Sequence, residues 1–199
     1  MAYLKNHPTR GYGLLEPLLA KWRASIANRF IPVAHRDGRI LDVGCGSSPY
    51  FLSHTFFKEK FAIEQQSPRS PHTDINWYSH DLNIDPSLPF ESNYFNVVTM
   101  LAVIEHLNPE NVVNLFRETN RVLCPGGLVF VTTPAAWSGF LLNLFANLKL
   151  VSKEEIKEHV YAYTLPLIGW YFGKASFDMD KVQFGYFEMY LNMWAAAKK

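Results

Sequence analysis

A chain of 199 residues that is 48% hydrophobic can bury one substantial core and is too short to require two, so a single domain over residues 1–199 is expected. With 19 Lys and Arg against 18 Asp and Glu, and no block of like charges, the chain lacks the basic footprint of a nucleic-acid binder. Cys45 and Cys124 stand far apart without metal-ligand spacing, which argues against zinc and for a reducing compartment. The N-terminal residues lack the apolar core of a secretory signal, and no run reaches the ~20 apolar residues of a membrane span, so the expected location is cytoplasmic.

The first predicted element is a helix in "GLLEPLLAKWRASIANRF", with Leu14, Leu15, Leu18, Leu19, Trp22, Ile26 and Phe30 as its apolar face, forming a helical cap over residues 1–35. The period then changes. "RILDV", "FAIE", "INWY", "FNVVTM" and "LVFVTT" are short apolar runs of the kind found in strands covered on both faces. Between the last two, "NPENVVNLFRETNRVL" reads as a helix capped by Asn108, opened by Pro109 and stopped by "CPGG", where Gly126 or Gly127 takes a positive φ. After Thr133 come an apolar stretch to Val151 inside an insert over residues 136–163, a helix from about Thr164 to Ala175, and a hairpin from "KVQFGYFE" and "MYLNMWAAA". Alternating strands and helices followed by a hairpin predict an α/β, Rossmann-like, doubly wound and mostly parallel seven-stranded sheet with an antiparallel C-terminal hairpin strand at its edge.

In such a sheet a ligand lies beyond the carboxyl ends of the strands, where the connection order reverses. "RILDVGCGSSPYFL" leads there from the first strand. Gly44 and Gly46 permit a tight bend and leave no Cβ between backbone and ligand, and a helix capped by Ser48 and begun by Pro49 is expected to aim amides at an anion. A strand-to-helix turn also takes glycine for structural reasons, so the two readings stand equal on these residues alone. Glu64 ends the next strand 18 residues after Gly46, where a carboxylate can accept from both hydroxyls of a ribose. Asp81, in "SHDLN", can accept from an adenine amino group while the Leu82 amide donates to the ring; singly, each acid also reads as an ordinary strand-end or turn residue. Three acids at the ends of three successive strands, Asp42, Glu64 and Asp81, together suit a cationic ligand.

These segments resemble the class I S-adenosylmethionine-dependent methyltransferases, in particular the small bacterial type. "ILDVGCG" is similar to their first motif, "LPFESNYFNVV" and "AVIEHL" to the segments around their fourth strand, and "RETNRVLCPGGLVFVTTP" to the helix and fifth strand. "EHVYAYT" and "GYFEMYLNMWAAAKK" resemble the later His/Tyr segment and the closing hairpin. The resemblance implies S-adenosylmethionine as cofactor. It places Asp42, Gly44, Cys45 and Gly46 at the methionine end, Glu64 at the ribose, Asp81 and Leu82 at the adenine, and Leu101 beside the cofactor. Three departures stand out: Ser48 where a third glycine is common, Asn96 where aspartate is usual, and "SPRSPHTD", whose prolines disfavour the usual crossover helix.

Methyl transfer from a sulfonium needs alignment and exclusion of water, and a base only where the nucleophile arrives protonated. His106 and His159 are the candidates, each with the plainer alternative of a structural histidine. Glu105 is expected to orient its neighbours and Tyr161 to line the acceptor pocket or the core. The expected acceptor is a small or lipid-linked molecule. Residues 137–151 serve as a packed helix, a lid, or a surface for peripheral membrane contact or a homodimer. The alternatives are a nucleotide-cofactor (NAD-type) oxidoreductase, disfavoured by the missing third glycine, and a non-catalytic binding protein on the same fold.

Overall fold

The computed structural model describes residues 15–138 and 161–199. Its centre is a seven-stranded sheet built from β1 (Arg39–Val43), β2 (Glu59–Glu64), β3 (Ile75–Ser79), β4 (Phe95–Leu101), β5 (Leu123–Pro134), β6 (Gln183–Phe187) and β7 (Asn192–Lys198). The strand order is β3-β2-β1-β4-β5-β7-β6. The chain winds outward from β1 to β3, then returns to β4 and winds the other way. The order therefore reverses between β1 and β4, and their C-terminal ends are where a sheet of this kind holds its ligand. β7 runs antiparallel to both β5 and β6, so the hairpin forms as expected but its antiparallel strand lies one place in from the edge, which β6 occupies.

Alternating side chains along each strand feed two cores, one per face. Leu41, Val43, Ile63, Val98 and Met100 pack under α3 (Pro109–Val122) and α4 (Leu165–Lys174), where Phe116 meets Phe172 at a ring separation of 5.1 Å. Ile40, Ala62, Val97, Phe130 and Trp194 face α1 (Glu16–Phe30) and the single turn α2 (Tyr50–Ser53).

The buried stripe of α1 is not the expected leucine face. Ala20, Ala24, Ala27 and Ile31 are buried, whereas Leu18 and Trp22 are 39% and 41% exposed. Small side chains let the helix axis approach the layer beneath, and of the expected face Ile26 and Phe30 do pack inward, Phe30 with its ring tilted 3.9 Å from that of Trp194, while Leu14 lies outside the described residues. α3 begins at Pro109 after Asn108, whose side chain makes no capping bond, and runs directly into β5, with Leu123 already extended. "CPGG" is thus part of β5 rather than a helix stop; Gly126 holds the positive φ, at 77°, beside a register shift against β4. α4 is capped by Thr164, whose hydroxyl accepts from the Leu167 amide.

Asn96 has a structural task. Its Oδ1 accepts from the Arg39 amide at 2.9 Å, fixing the start of β1, and it fills the space that a Cβ on Gly38 would need.

Candidate functional site: the crevice at the ends of β1, β2 and β4

Gly44 and Gly46 sit at φ of 67° and 69°, a conformation glycine adopts without the penalty a Cβ brings. Their surroundings differ. A Cβ on Gly44 would meet Val103 Cγ2 at 2.7 Å, whereas a Cβ on Gly46 would meet nothing within 4 Å. Gly44 is therefore the packing glycine, and Gly46 is the one that leaves space at the crevice. The segment after it carries only the one-turn α2, with Pro49 at the capping position and no side-chain cap. The expected helix capped by Ser48 is not formed, and a helix of four residues sums almost no dipole to aim at an anion.

Glu64 is brought against this turn by the pairing of β1 with β2. The carboxylate is 3% exposed; Oε2 accepts from the Gly46 amide at 2.9 Å and Oε1 from the Gln65 amide at 2.9 Å. Cys45, a half-buried thiol, donates to the Gly46 carbonyl. Ser47 is buried, and its hydroxyl has no partner among the described residues.

Asp42 lies beneath the turn. Register places it opposite Thr99 of β4, whose hydroxyl donates to Asp42 Oδ1 at 2.6 Å. Complete burial pushes the Asp42 carboxyl up to about 7, and the Thr99 hydrogen bond offsets only part of that. Thr99 was not singled out from sequence, although a threonine inside an apolar strand run is a usable signal.

Asp81 follows β3 in a turn that its own Oδ1 stabilises by accepting from the Asn83 amide at 2.9 Å, while Oδ2 accepts from Gln65 Nε2 at 2.7 Å. Leu82 turns its side chain into the core. Among the described residues, 65–74 between β2 and β3 carry no helix, as the two prolines required, so that wall of the crevice is loop. The Arg69 amide ties it to the Ser47 carbonyl at 2.8 Å.

Leu101 ends β4, half-buried, and Ala102 follows at φ 59° with its amide donating to Thr132. The chain then forms a 3-10 turn, Ile104–His106. Glu105 is 2% exposed and accepts from Thr133 Oγ1 at 3.0 Å; His106 is half-buried. Tyr163 is fully buried and donates to the Ile104 carbonyl at 3.1 Å; burial first, then Tyr171 and Glu105, hold its phenol well above the usual range. Tyr161 is 50% exposed, so it is no core residue. Sequence reasoning chose Tyr161 and passed over Tyr163, two residues on, which docks beside the end of β5 through a bridge to Ala135. His159 and most of residues 137–151 lie outside the described residues.

Asp42, Glu64, Asp81 and Glu105 thus stand at or just past the C-terminal ends of β1, β2, β3 and β4. The model of a methyltransferase domain family matches residues 16–182, most of the chain. The chain belongs to that family. It is a class I S-adenosylmethionine-dependent methyltransferase, and this excludes the NAD-type oxidoreductase. Its fold is similar to that of an S-adenosylmethionine-dependent methyltransferase from Mesorhizobium loti, at 16% identity over 90% of this chain and 98% of that one, with a TM-score of 0.65. A putative methyltransferase in complex with the Haloferax volcanii Trm112 methyltransferase activator is 14% identical over 92% and 91% of the two chains, with a TM-score of 0.69. Phosphoethanolamine N-methyltransferase 2 from Haemonchus contortus, solved with S-adenosyl-L-methionine, is 18% identical over 90% of this chain and 52% of that one, with a TM-score of 0.65. No curated protein matches the sequence. No helix among the described residues of this methyltransferase is long and apolar enough to cross a membrane.

Proposed function

We propose that the crevice binds S-adenosylmethionine along the line Asp42, Gly46, Glu64, Asp81 and serves methyl transfer to a small or lipid-linked acceptor. The observation that carries this is the contact of the Glu64 carboxylate with the Gly46 amide at 2.9 Å, beside the space where a Cβ of residue 46 would stand. It sets an acceptor for ribose hydroxyls next to a backbone that a ligand can approach closely. The orphaned Ser47 hydroxyl and the acidic surroundings fit a ligand with polar and cationic groups.

Bound there, S-adenosylmethionine supplies an electrophilic methyl group on a sulfonium sulfur. Asp42, Gly44, Cys45 and Gly46 take its methionine end, Glu64 holds the ribose, Asp81 and Leu82 face the adenine, and Leu101 flanks it. Asp42, whose carboxyl sits near 7 because it is buried, is drawn to its charged form at lower pH when a cation arrives beside it. His106 is the base where the acceptor carries a proton to be removed, and His159 is the second candidate.

Titration calorimetry with S-adenosylmethionine, S-adenosylhomocysteine and NAD tests the cofactor site. Both sulfur compounds are expected to bind and raise the melting temperature, with NAD silent; NAD binding in their place would overturn the assignment.

A further inference from the structure

We propose that Asn83 is a positioning residue that couples occupancy of the adenine side of the crevice to the geometry of the turn bearing Glu105 and His106. The inference rests on the cofactor reading above.

Asn83 is the residue in which two loops meet. Its amide donates to Asp81 Oδ1 at 2.9 Å, so its backbone is set by the acid assigned to the adenine. Its side chain spans the gap to the other loop at both ends: Nδ2 donates to the His106 carbonyl at 3.2 Å, and Oδ1 accepts from the Asn108 amide at 3.3 Å. Asn111 of α3 holds the same loop separately, its Nδ2 donating to the carbonyls of Leu82 and Asn83 at 3.3 and 2.9 Å. Two struts therefore reach the adenine-side loop, and of the two only the Asn83 side chain reaches the residues on either side of Leu107.

The element coupled is a single 3-10 turn, closed by the His106 amide on the Val103 carbonyl at 3.0 Å and the Leu107 amide on the Ile104 carbonyl at 3.2 Å. Hydrogen-bond geometry in a 3-10 turn is poor, and Tyr163 on the Ile104 carbonyl and Thr133 on Glu105 hold the first part of this one, so the Asn83 bonds bear on its C-terminal end, at His106 and Asn108. A ligand that holds Asp81 still also holds Asn83, and through it disfavours opening of the turn. By linkage, a closed turn raises affinity at Asp81 by the same factor. The physical basis is this shared opening equilibrium rather than distance or adjacency.

Amide hydrogen exchange at His106 and Leu107, with and without saturating S-adenosylhomocysteine, tests it in the intact chain. The expected slowing in wild type is about tenfold. In Asn83→Ala the ligand still binds, within about fivefold of wild type, and slowing at these two amides falls below about twofold. Asn111→Ala, which leaves the bond to the His106 carbonyl in place, keeps the slowing. Full slowing in Asn83→Ala, or equal loss in Asn111→Ala, overturns the proposal, the second because it would mark general loosening of the loop. Asn83→Asp keeps an acceptor for the Asn108 amide and replaces the donor to His106 with a carboxylate oxygen that repels the carbonyl, so it breaks the same strut and reads the same outcome if Asn83→Ala does not fold. A wild-type chain that does not bind S-adenosylhomocysteine would remove the cofactor reading and this coupling together; binding without slowing removes the coupling alone.

Discussion

Gly44 and Gly46 share a left-handed backbone and part company in what a side chain would strike. At Gly44 the obstacle is the Val103 side chain at 2.7 Å, inside the core, so Gly44→Val cannot report on ligand binding alone, as the sequence would lead one to try. At Gly46 nothing stands within 4 Å, and the cost to the fold is the positive φ, about 1–2 kcal/mol. Gly46→Val is expected to stay folded, with a melting temperature lowered by a few degrees, and to lose affinity for S-adenosylhomocysteine at least tenfold in calorimetry, on the order of the 1.4 kcal/mol that one displaced contact represents. Gly44→Val is expected to lose soluble protein. Undiminished affinity in folded Gly46→Val would make the whole turn a structural device.

At the scale of elements, strands were more legible than helices. β1 coincides with "RILDV" because a strand buried on both faces is a bare apolar run with sharp ends. Of the expected face of α1, Ile26 and Phe30 pack inward while Leu18 and Trp22 are exposed, because close packing on a sheet selects the small alanines between them. α2 and the stop of α3 failed at the Pro and Gly signals, where the same residues serve a strand bulge as readily as a cap. Of the candidate site, the glycine turn and the acids at or near strand ends were legible because strand ends are; the Thr99–Asp42 and Tyr163–Ile104 bonds were not, since cross-strand register and a returning segment join residues far apart in sequence. Ala27→Leu puts three extra carbons into a fully buried position and should destabilise the fold by about 1–3 kcal/mol in urea unfolding, whereas Leu18→Gln should cost under about 1 kcal/mol. The reverse order would restore the leucine face.

For the whole molecule, a formal charge of +1 leaves little self-repulsion, so stability between pH 5 and 8 depends on a few buried groups. Asp42 is the largest. Its folded-state carboxyl titrates near 7 against 3.8 for an open chain, so between those values the folded state holds a proton the unfolded state has lost. Stability therefore falls as pH rises through that window, and the loss is complete above 7. His35 acts in the opposite sense: burial, then Lys198, lowers its folded-state value below 6.5, so stability rises with pH as the unfolded imidazole gives up its proton. The raw profile mixes the two, and Asp42→Asn separates them, because the amide keeps an oxygen for the Thr99 hydroxyl and cannot ionise. Relative to wild type, Asp42→Asn should gain roughly 2–3 kcal/mol on going from pH 5 to pH 8, read from urea unfolding of the ligand-free protein. A stability difference that stays constant over that range would mean that Asp42 is ionised throughout, held by a cation the fold itself supplies, and Asp42 would then not be the carboxylate left to answer a sulfonium ligand.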